Sequence, residues 1–459
     1  MRNGIQTSPT EAKLRERRTL FLLWLLMLGV RVACALLDSQ GLMMEGGDSV
    51  NYYQSGLLFA RTGQLRFGGR ELSALVMPGT TVLVGVLSRF FSDGQPLQMA
   101  IRLTWALFGS FTPLFIYKSV RLFTPRWCAL LTALIYVHPL FILIDSYMLT
   151  EGPNYMFFAM SLYYTLKMGE EDDPRDIWKY SFSVLGGLLF RTFIISAPLF
   201  TLAYLGIIKR RYSLRAVVQK AGVICLVLAL FILPWTARNY RIFHAFIPLT
   251  YGAGNPIMEG TDQGDGYPAA EIFALGVENI DEKQVIREKY SELFDENGDL
   301  LDPELAQYVF YLGVSETARF RINTWLKYKT GNFLKTYLWI KPRAILNWPW
   351  YWENYTLFPY AGVVMIRRLN CLFCLLTAAL ALLLKRHRRV ILFLGLAYLI
   401  NLYVISFGFA IDRYAQAIMP YRYIAAGIGM DLAAEAFRRK WGGLRPASAA
   451  AATDPDDPE

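Results

Sequence analysis

Long apolar runs recur from one end of the chain to the other and are separated by short polar linkers. The runs cover residues 20–37, 99–123, 127–144, 152–167, 179–208, 217–235, 369–384, 390–407 and 415–437. A helix needs about 20 predominantly apolar residues to cross a bilayer, and these runs approach or exceed that length. The pattern therefore predicts an all-α polytopic membrane protein with about ten transmembrane helices.

Basic residues collect in the linkers and account for the net charge of +10. Their clusters lie at residues 13–18, 118–126, 209–215, 385–389 and 438–440. Such clusters mark the cytoplasmic ends of membrane helices, so both termini are predicted to be cytoplasmic. This arrangement explains the positive charge without any binding of nucleic acid. The Ala-, Pro- and Asp-rich tail at 441–459 is predicted to be disordered.

The run at 179–208 contains an arginine, Arg191, near its middle. Basic linkers flank this run at both ends, so a single crossing is excluded and two short helices that meet near Arg191 are predicted. An unpaired arginine at membrane depth costs about 2.5–3.5 kcal/mol. Arg191 is therefore expected to line a polar cavity or to bind an anion.

Two regions are predicted to lie on the outer side of the membrane. In the first, residues 38–98, the apolar stretch 80–91 is too short to cross a bilayer comfortably and predicts an interfacial helix. The second, residues 239–360, has mixed charge and predicts a small helical extracytoplasmic domain that ends in an aromatic interfacial segment. The chain then divides into a transmembrane module at 1–238, this domain, and C-terminal transmembrane helices at 361–440.

The charged residues that this topology places on the outer face are candidates for catalysis. They are Glu45, Asp48, Asp145, Glu151, Arg191, Arg238, Arg241, Asp412 and Arg413. Asp48 opens a predicted helix just outside the membrane, where a carboxylate is a plausible base but equally a helix cap. Arginines can hold a phosphate through forked hydrogen bonds, and a carboxylate can take a proton from an attacking hydroxyl. The set suits a lipid-anchored anionic substrate, or it is a group of unrelated interfacial charges.

Several short motifs follow one another in an order that resembles a known family. They are Gly47-Asp48-Ser49-x-x-Tyr52 with Ala60-x-x-Gly63, Met77-Pro78-Gly79, Arg102, His138-Pro139 with Thr150-Glu151, Phe190-Arg191-Thr192, Arg238-Asn239-Tyr240 with Ile247-Pro248-Leu249, and Arg413-Tyr414. In this order they resemble the bacterial GT-C glycosyltransferases that are related to protein O-mannosyltransferases and lipid A aminoarabinose transferases. The chain departs from the family pattern at Thr192, where a proline is frequent.

The resemblance implies a membrane glycosyltransferase of the bacterial inner membrane. Such an enzyme would transfer a single sugar, with inversion, from a polyprenyl-phosphate donor to an extracytoplasmic hydroxyl of a glycan, lipid or protein. The resemblance also implies that Asp48 is the catalytic base and that Glu151 orients the acceptor or the sugar. It assigns the lipid phosphate to Arg191, Arg413 and Tyr414. Further candidates for substrate binding are Glu45, Tyr52, Arg102 and Arg238.

The sequence contains neither a His and Cys cluster with metal-ligand spacing nor a Gly-x-x-x-x-Gly-Lys phosphate loop. We therefore expect no required cofactor beyond the lipid-linked donor, and the use of a divalent metal is left open. Two other functions compete with sugar transfer. A lipid-linked oligosaccharide polymerase or ligase would use an oligosaccharide diphosphate donor. A lipid or sugar transporter (a flippase) would share the broken helices and intramembrane arginines.

Overall fold

The structure of the protein, a computed structural model, describes residues 9–37, 47–69, 71–347, 360–383, 387–411, 414 and 416–441. Within these ranges the chain is helical, and β-structure is limited to the isolated bridges Arg66–Leu72 and Phe294–Leu300. The predicted all-α fold is therefore confirmed. The predictions for Glu45, Asp412, Arg413 and the C-terminal tail concern residues outside the described ranges.

Nineteen α-helices follow one another along the described part of the chain. They are α1 (Pro9–Leu37), α2 (Asp48–Thr62), α3 (Gly79–Leu87), α4 (Gln95–Arg121), α5 (Arg126–Leu134), α6 (Pro139–Ser146), α7 (Glu151–Glu170), α8 (Asp176–Phe190), α9 (Ala197–Ala203), α10 (Leu214–Phe243), α11 (Gly254–Thr261), α12 (Ala269–Phe273), α13 (Glu282–Lys289), α14 (Ala306–Tyr328), α15 (Thr330–Lys335), α16 (Lys341–Asn347), α17 (Tyr360–Leu383), α18 (Arg388–Phe407) and α19 (Met419–Trp441). Four described helices, α1, α4, α10 and α18, are long and apolar enough to cross a membrane. The chain is an integral membrane protein, and the total of about ten spans stays a prediction.

The helix break predicted near Arg191 is present. Helix α8 ends at Phe190, Arg191 is extended (φ −155°, ψ 136°), and a 3₁₀ segment, Thr192–Ser196, leads into α9. The β-branched residues after Arg191 disfavour a helix, and Pro198 in the first turn of α9 has no N–H to give to a preceding turn. The chain therefore changes direction at the arginine.

A buried chain of hydroxyl groups holds the two arms of this broken helix together. Thr165 of α7 and Thr201 of α9 are hydrogen-bonded at 2.7 Å, and Thr201 donates to the Tyr180 hydroxyl of α8 at 2.9 Å. In the membrane interior such groups have to find their partners within the protein. The arms of the break are thus fixed against α7, the helix that begins at Glu151.

Two helices differ from the predicted boundaries. The run at 127–144 is interrupted at His138 (φ −57°, ψ 135°), because a proline disfavours helical backbone at the residue before it. Helix α10 was expected to end near Trp235 but continues through Pro234 to Phe243. The extension is held by side chains that donate to the following loop, Trp235 to the Leu249 carbonyl at 2.6 Å and Asn239 to the Ile247 carbonyl at 2.8 Å.

Short helices form the two regions that are predicted to lie on the outer side of the membrane. Helix α3 has nine residues, too few to cross a bilayer, which agrees with the short helix predicted there. It packs closely on α2 at Gly56, where a Cβ would lie 2.5 Å from the Cβ of Val84. Helices α11 to α16 lie in the region that the sequence predicts to be extracytoplasmic, which we call the outer domain. Glu304 of this domain is hydrogen-bonded to Arg66 at 2.8 Å and to the Leu72 N–H at 3.0 Å, so the domain is tied to the loop between α2 and α3.

Candidate active site

A cavity of about 290 Å³ lies where α2, the start of α7, the break after α8 and the outer domain meet. Its polar lining includes Asp48, Asn51, Thr150, Glu151, Arg191, Asn255 and Tyr414, and its apolar lining includes Met77, Leu149 and Phe190. The predicted base, the second acidic residue and the predicted phosphate-binding arginine therefore share one cavity. Residues that are distant in the sequence converge here because the helix break turns Arg191 toward the start of α7.

Two side chains at the start of α7 hold Arg191. Its Nη1 donates to Glu151 Oε1 at 2.7 Å and to Thr150 Oγ1 at 3.0 Å. Thr150 Oγ1 donates in turn to Glu151 Oε2 at 3.2 Å. Glu151 is the first residue of α7, where the helix dipole favours a carboxylate. The sequence predicted that Glu151 orients the acceptor or sugar, whereas this contact couples it to the arginine.

The exposure of the two ion-pair partners is unequal. The Glu151 side chain is 3% exposed and the Arg191 side chain is 25% exposed. The carboxylate is therefore enclosed by protein, while the guanidinium borders the cavity. Tyr414 limits the movement of the guanidinium further, since its ring centroid lies 4.2 Å from Arg191 Cζ, a cation–π distance.

Asp48 lines the same cavity from the first residue of α2. The N-cap position is occupied by Gly47, so Asp48 stands inside the first turn and is not the N-cap residue. Tyr311 of α14 also lines the cavity, and its pKa is raised by burial and by the charges of Glu259 and Asp48. Its hydroxyl is therefore a neutral hydrogen-bonding group beside the Asp48 carboxylate.

The remaining predicted site residues lie in different places. Tyr52 lines the cavity, where its ring packs against Phe67 at 4.8 Å between centroids. Arg102 is buried outside the cavity lining and donates to the Ala35 carbonyl at 2.8 Å. Arg238 is also outside the lining and donates to the carbonyl of Ser73 at 2.9 Å. The structure thus brings Tyr52 to the cavity, whereas Arg102 and Arg238 hold backbone segments and do not reach it.

A buried ion pair near the site was missed from the sequence. Arg31 of α1 donates from Nε to Asp145 Oδ2 at 2.7 Å, and the two side chains are 2% and 5% exposed. Asp145 was expected on the outer face but is buried at the end of α6, in the segment that leads to Glu151. The sequence did contain a sign of this ion pair: Arg31 lies inside the apolar run 20–37, and a charge at such a position requires a partner.

The described residues contain no group of three or more His, Cys, Asp or Glu side chains that could hold a metal ion. The described acidic residues that line the cavity are Asp48 and Glu151.

Comparison with known sequences gives one family match. The profile described as dolichyl-phosphate-mannose-protein mannosyltransferase matches residues 81–235, a segment that runs from α3 into α10 and includes Glu151 and Arg191. A comparison with curated proteins gives no match.

Comparison with solved structures gives matches along almost the whole chain. The archaeal oligosaccharyltransferase AglB from Archaeoglobus fulgidus, in complex with an inhibitory peptide and a dolichol-phosphate, matches with a TM-score of 0.54 and 14% identity over 96% of this chain and 53% of AglB. The apo form of the A. fulgidus oligosaccharyltransferase gives 0.51 at the same identity and the same two coverages. ArnT from Cupriavidus metallidurans bound to undecaprenyl phosphate matches with a TM-score of 0.38 and 14% identity over 97% of this chain and 82% of ArnT.

The present chain spans about half the length of the oligosaccharyltransferase that it matches. At 14% identity the likeness is one of fold. Together with the profile match, it confirms the predicted resemblance to the GT-C superfamily.

Proposed function

We propose that this chain of GT-C fold is a membrane glycosyltransferase that moves a single sugar from a polyprenyl-phosphate donor to a hydroxyl acceptor on the extracytoplasmic side. The observation that carries the proposal is the shared cavity of Asp48 and Arg191, a carboxylate and a guanidinium from two distant parts of the chain. This pair supplies a base for the attacking hydroxyl and a cation for the departing phosphate. The dolichol-phosphate in the AglB structure supports the choice of a lipid phosphate as ligand.

Asp48 and Arg191 each act on one atom in the proposed reaction. Asp48 takes the proton of the acceptor hydroxyl as the oxygen attacks the anomeric carbon of the sugar. The bond between that carbon and the phosphate oxygen breaks, and its electron pair stays on the polyprenyl phosphate. Arg191 stabilises the negative charge that develops on this oxygen. Asp48 becomes neutral as the phosphate gains charge, so the total charge of the cavity and its ligands does not change.

The charge of the described part of the cavity lining favours a monophosphate donor over a diphosphate. Among the described residues, the charged side chains of the lining are Asp48, Glu151 and Arg191, with a formal sum of −1. A sugar phosphodiester brings one negative charge, whereas an oligosaccharide diphosphate brings two. A further unit charge about 6 Å from a carboxylate adds roughly 3 kcal/mol of repulsion at an effective dielectric constant near 20. This argument weighs against the polymerase or ligase alternative.

The test uses purified protein in lipid nanodiscs with undecaprenyl phosphate and a panel of undecaprenyl-phosphate sugars. Asp48→Asn should reduce sugar transfer by about 10²–10⁴-fold, the usual contribution of a general base, and should still bind undecaprenyl phosphate. Arg191→Ala should weaken the binding of undecaprenyl phosphate by about 10–100-fold, because a charge-assisted hydrogen bond contributes about 1.5–3 kcal/mol.

Arg319→Ala is the matched control. Arg319 is an exposed arginine of α14 outside the cavity lining, paired at 3.5 Å with Glu316, and its loss should leave binding and transfer unchanged. Wild-type transfer by Asp48→Asn would remove that residue as the base. Tighter binding of a lipid diphosphate than of the monophosphate by the wild type would favour the polymerase or ligase instead.

A further inference from the structure

Lys341 is a buried lysine that joins α11 to the segment that follows α18. Its side chain is almost fully enclosed, and Nζ donates to the Gly260 carbonyl at 2.9 Å and to the Gly408 carbonyl at 2.6 Å. The amino group also lies 4.4 Å from the centroid of the Tyr337 ring. Gly260 belongs to α11, and Gly408 directly follows α18. The neutral amine of a lysine has two N–H donors and the ammonium has three, so Lys341 can donate to both carbonyls whether or not it is charged.

A second connection lies beside the first. The side-chain amide of Gln263 accepts from the Ala410 N–H at 2.6 Å and donates to the Ala410 carbonyl at 3.2 Å. Together, Lys341 and Gln263 form a polar seam, which we define as their four hydrogen bonds to Gly260, Gly408 and Ala410. The approach is close, since a Cβ on Gly260 would lie 2.9 Å from Lys341 Nζ and would collide with the Gly408 carbonyl.

The polar seam joins two walls of the cavity. On one side, α11 presents Asn255 and Pro256 to the cavity. On the other side, the segment that begins at Gly408 leads to Tyr414, whose N–H donates to the Ile411 carbonyl at 3.2 Å. The Tyr414 ring covers the Arg191 guanidinium at 4.2 Å. A continuous chain of contacts thus runs from Lys341 to Arg191.

We propose that Lys341 and Gln263 are positioning residues, which act on the donor through Tyr414 by holding its segment against Arg191. The consequence for the donor rests on the proposed function, because it assumes that Arg191 binds the lipid phosphate. The consequence for the segment does not rest on it. If the polar seam is loosened, Gly408 and the residues after it become mobile whatever the cavity binds.

The first experiment measures hydrogen–deuterium exchange of the full chain in detergent. Lys341→Met should raise exchange in peptides that contain Gly408–Ile411 and Tyr414, and leave α2 unchanged. Gln263→Ala tests the same seam at a partly buried position. It replaces Lys341→Met in the experiment if that variant does not accumulate as folded protein. Lys335→Met is the matched control, because Lys335 lies on the preceding turns and forms an ion pair with Asp265, where its side chain is 62% exposed. Unchanged exchange in both seam variants would overturn the proposal.

The second experiment measures binding of undecaprenyl phosphate in a double-mutant cycle. Lys341→Met and Tyr414→Leu should each weaken binding about fivefold, the size of the effect of one lost hydrogen bond or one lost cation–π contact, and the double variant should be no weaker than the worse single variant. At saturating donor, turnover of Lys341→Met should stay within about twofold of wild type, because the groups that react are intact. If the double variant weakens binding by the product of the two single fold-changes, Lys341 does not act through Tyr414 and the inference is overturned.

The two proposals fail in different ways. If Arg191→Ala binds undecaprenyl phosphate as well as wild type, the proposed phosphate role of Arg191 is wrong, and the exchange experiment still decides the role of the polar seam. If Arg191→Ala loses binding but the seam variants bind and exchange as wild type, the positioning role alone is wrong.

Discussion

The buried ion pair of Arg31 and Asp145 gives a sharp prediction for stability. Its atoms are 2.7 Å apart, and both side chains are at least nine-tenths buried. Arg31 also donates to the Tyr136 carbonyl at 3.4 Å, so the arginine ties α1 to the interrupted run of α5 and α6. Asp145 lies shortly before Leu149, whose carbonyl accepts a hydrogen bond from Trp105 of α4 at 2.7 Å. It therefore supports the backbone that carries Thr150 and Glu151.

The magnitude follows from the geometry. At 2.7 Å and an effective dielectric constant near 20, the attraction of the two charges is about 6 kcal/mol, and the desolvation of both groups offsets much of it. Removing one partner leaves the other charge buried and uncompensated, which costs about 3–5 kcal/mol. We therefore expect Arg31→Met and Asp145→Asn each to lower the free energy of unfolding by about that amount. The double variant should lose less than either single variant, since no lone charge remains.

The assay is unfolding of the purified protein in mixed micelles, followed by circular dichroism across the four proteins of the cycle. The control is Arg66→Met. Arg66 pairs with Glu304 at 2.8 Å, but the glutamate is 41% exposed, so the loss should be about 1 kcal/mol or less. Losses in the double variant that equal the sum of the single losses would refute the reasoning, because the two charges would then not depend on each other.

Three further predictions concern single residues. Glu151→Gln should bind undecaprenyl phosphate about fivefold more tightly, since its carboxylate competes for Arg191, yet transfer sugar more slowly; weaker binding in a titration would contradict this. Arg238→Met should lower stability by about 1–3 kcal/mol in a thermal unfolding assay, through lost bonds to the α2–α3 loop, and leave binding of undecaprenyl phosphate intact. Burial lowers the pKa of Lys341 from 10.5 to about 7, and the residue lies outside the four candidate spans. The unfolded chain then holds this proton more tightly, so wild type should gain stability over Lys341→Met as pH rises from about 7 toward 10.5, by at most about 1.4 kcal/mol per pH unit. A constant difference between the two proteins over this range would show that the lysine does not titrate there.

Features of the fold and of the cavity could be predicted from the sequence where a strong physical constraint acts on a short stretch of the chain. The break at Arg191 was predictable because basic linkers on both sides forbid a single crossing, and because a membrane arginine needs a polar surrounding. Asp48 and Glu151 were predictable as cavity residues because the same charge rule places both on one face. In the structure both residues line one cavity, as that topology predicts, while their chemical roles stay predictions.

The sequence was insufficient where contacts between distant segments decided the outcome. Helix α10 passes through Pro234 because Trp235 and Asn239 bind the following loop, which no local propensity reveals. Arg238 looks like a substrate ligand by position, yet its partners are backbone carbonyls of a loop formed far earlier in the chain. A hydrogen bond from an arginine to a backbone carbonyl leaves no signature in the sequence, because every residue has a carbonyl.

The way the cavity is assembled has a consequence for anyone who wishes to shorten the protein. Asp48 and Arg191 belong to the first half of the chain, Asn255 and Tyr311 to the outer domain, and Tyr414 lies shortly before α19. A fragment that stops at residue 238 would keep Asp48 and Arg191 but lose one wall of the cavity, which would expose Arg191 to bulk water. The smallest unit that keeps the whole described lining of the cavity therefore has to extend to Tyr414.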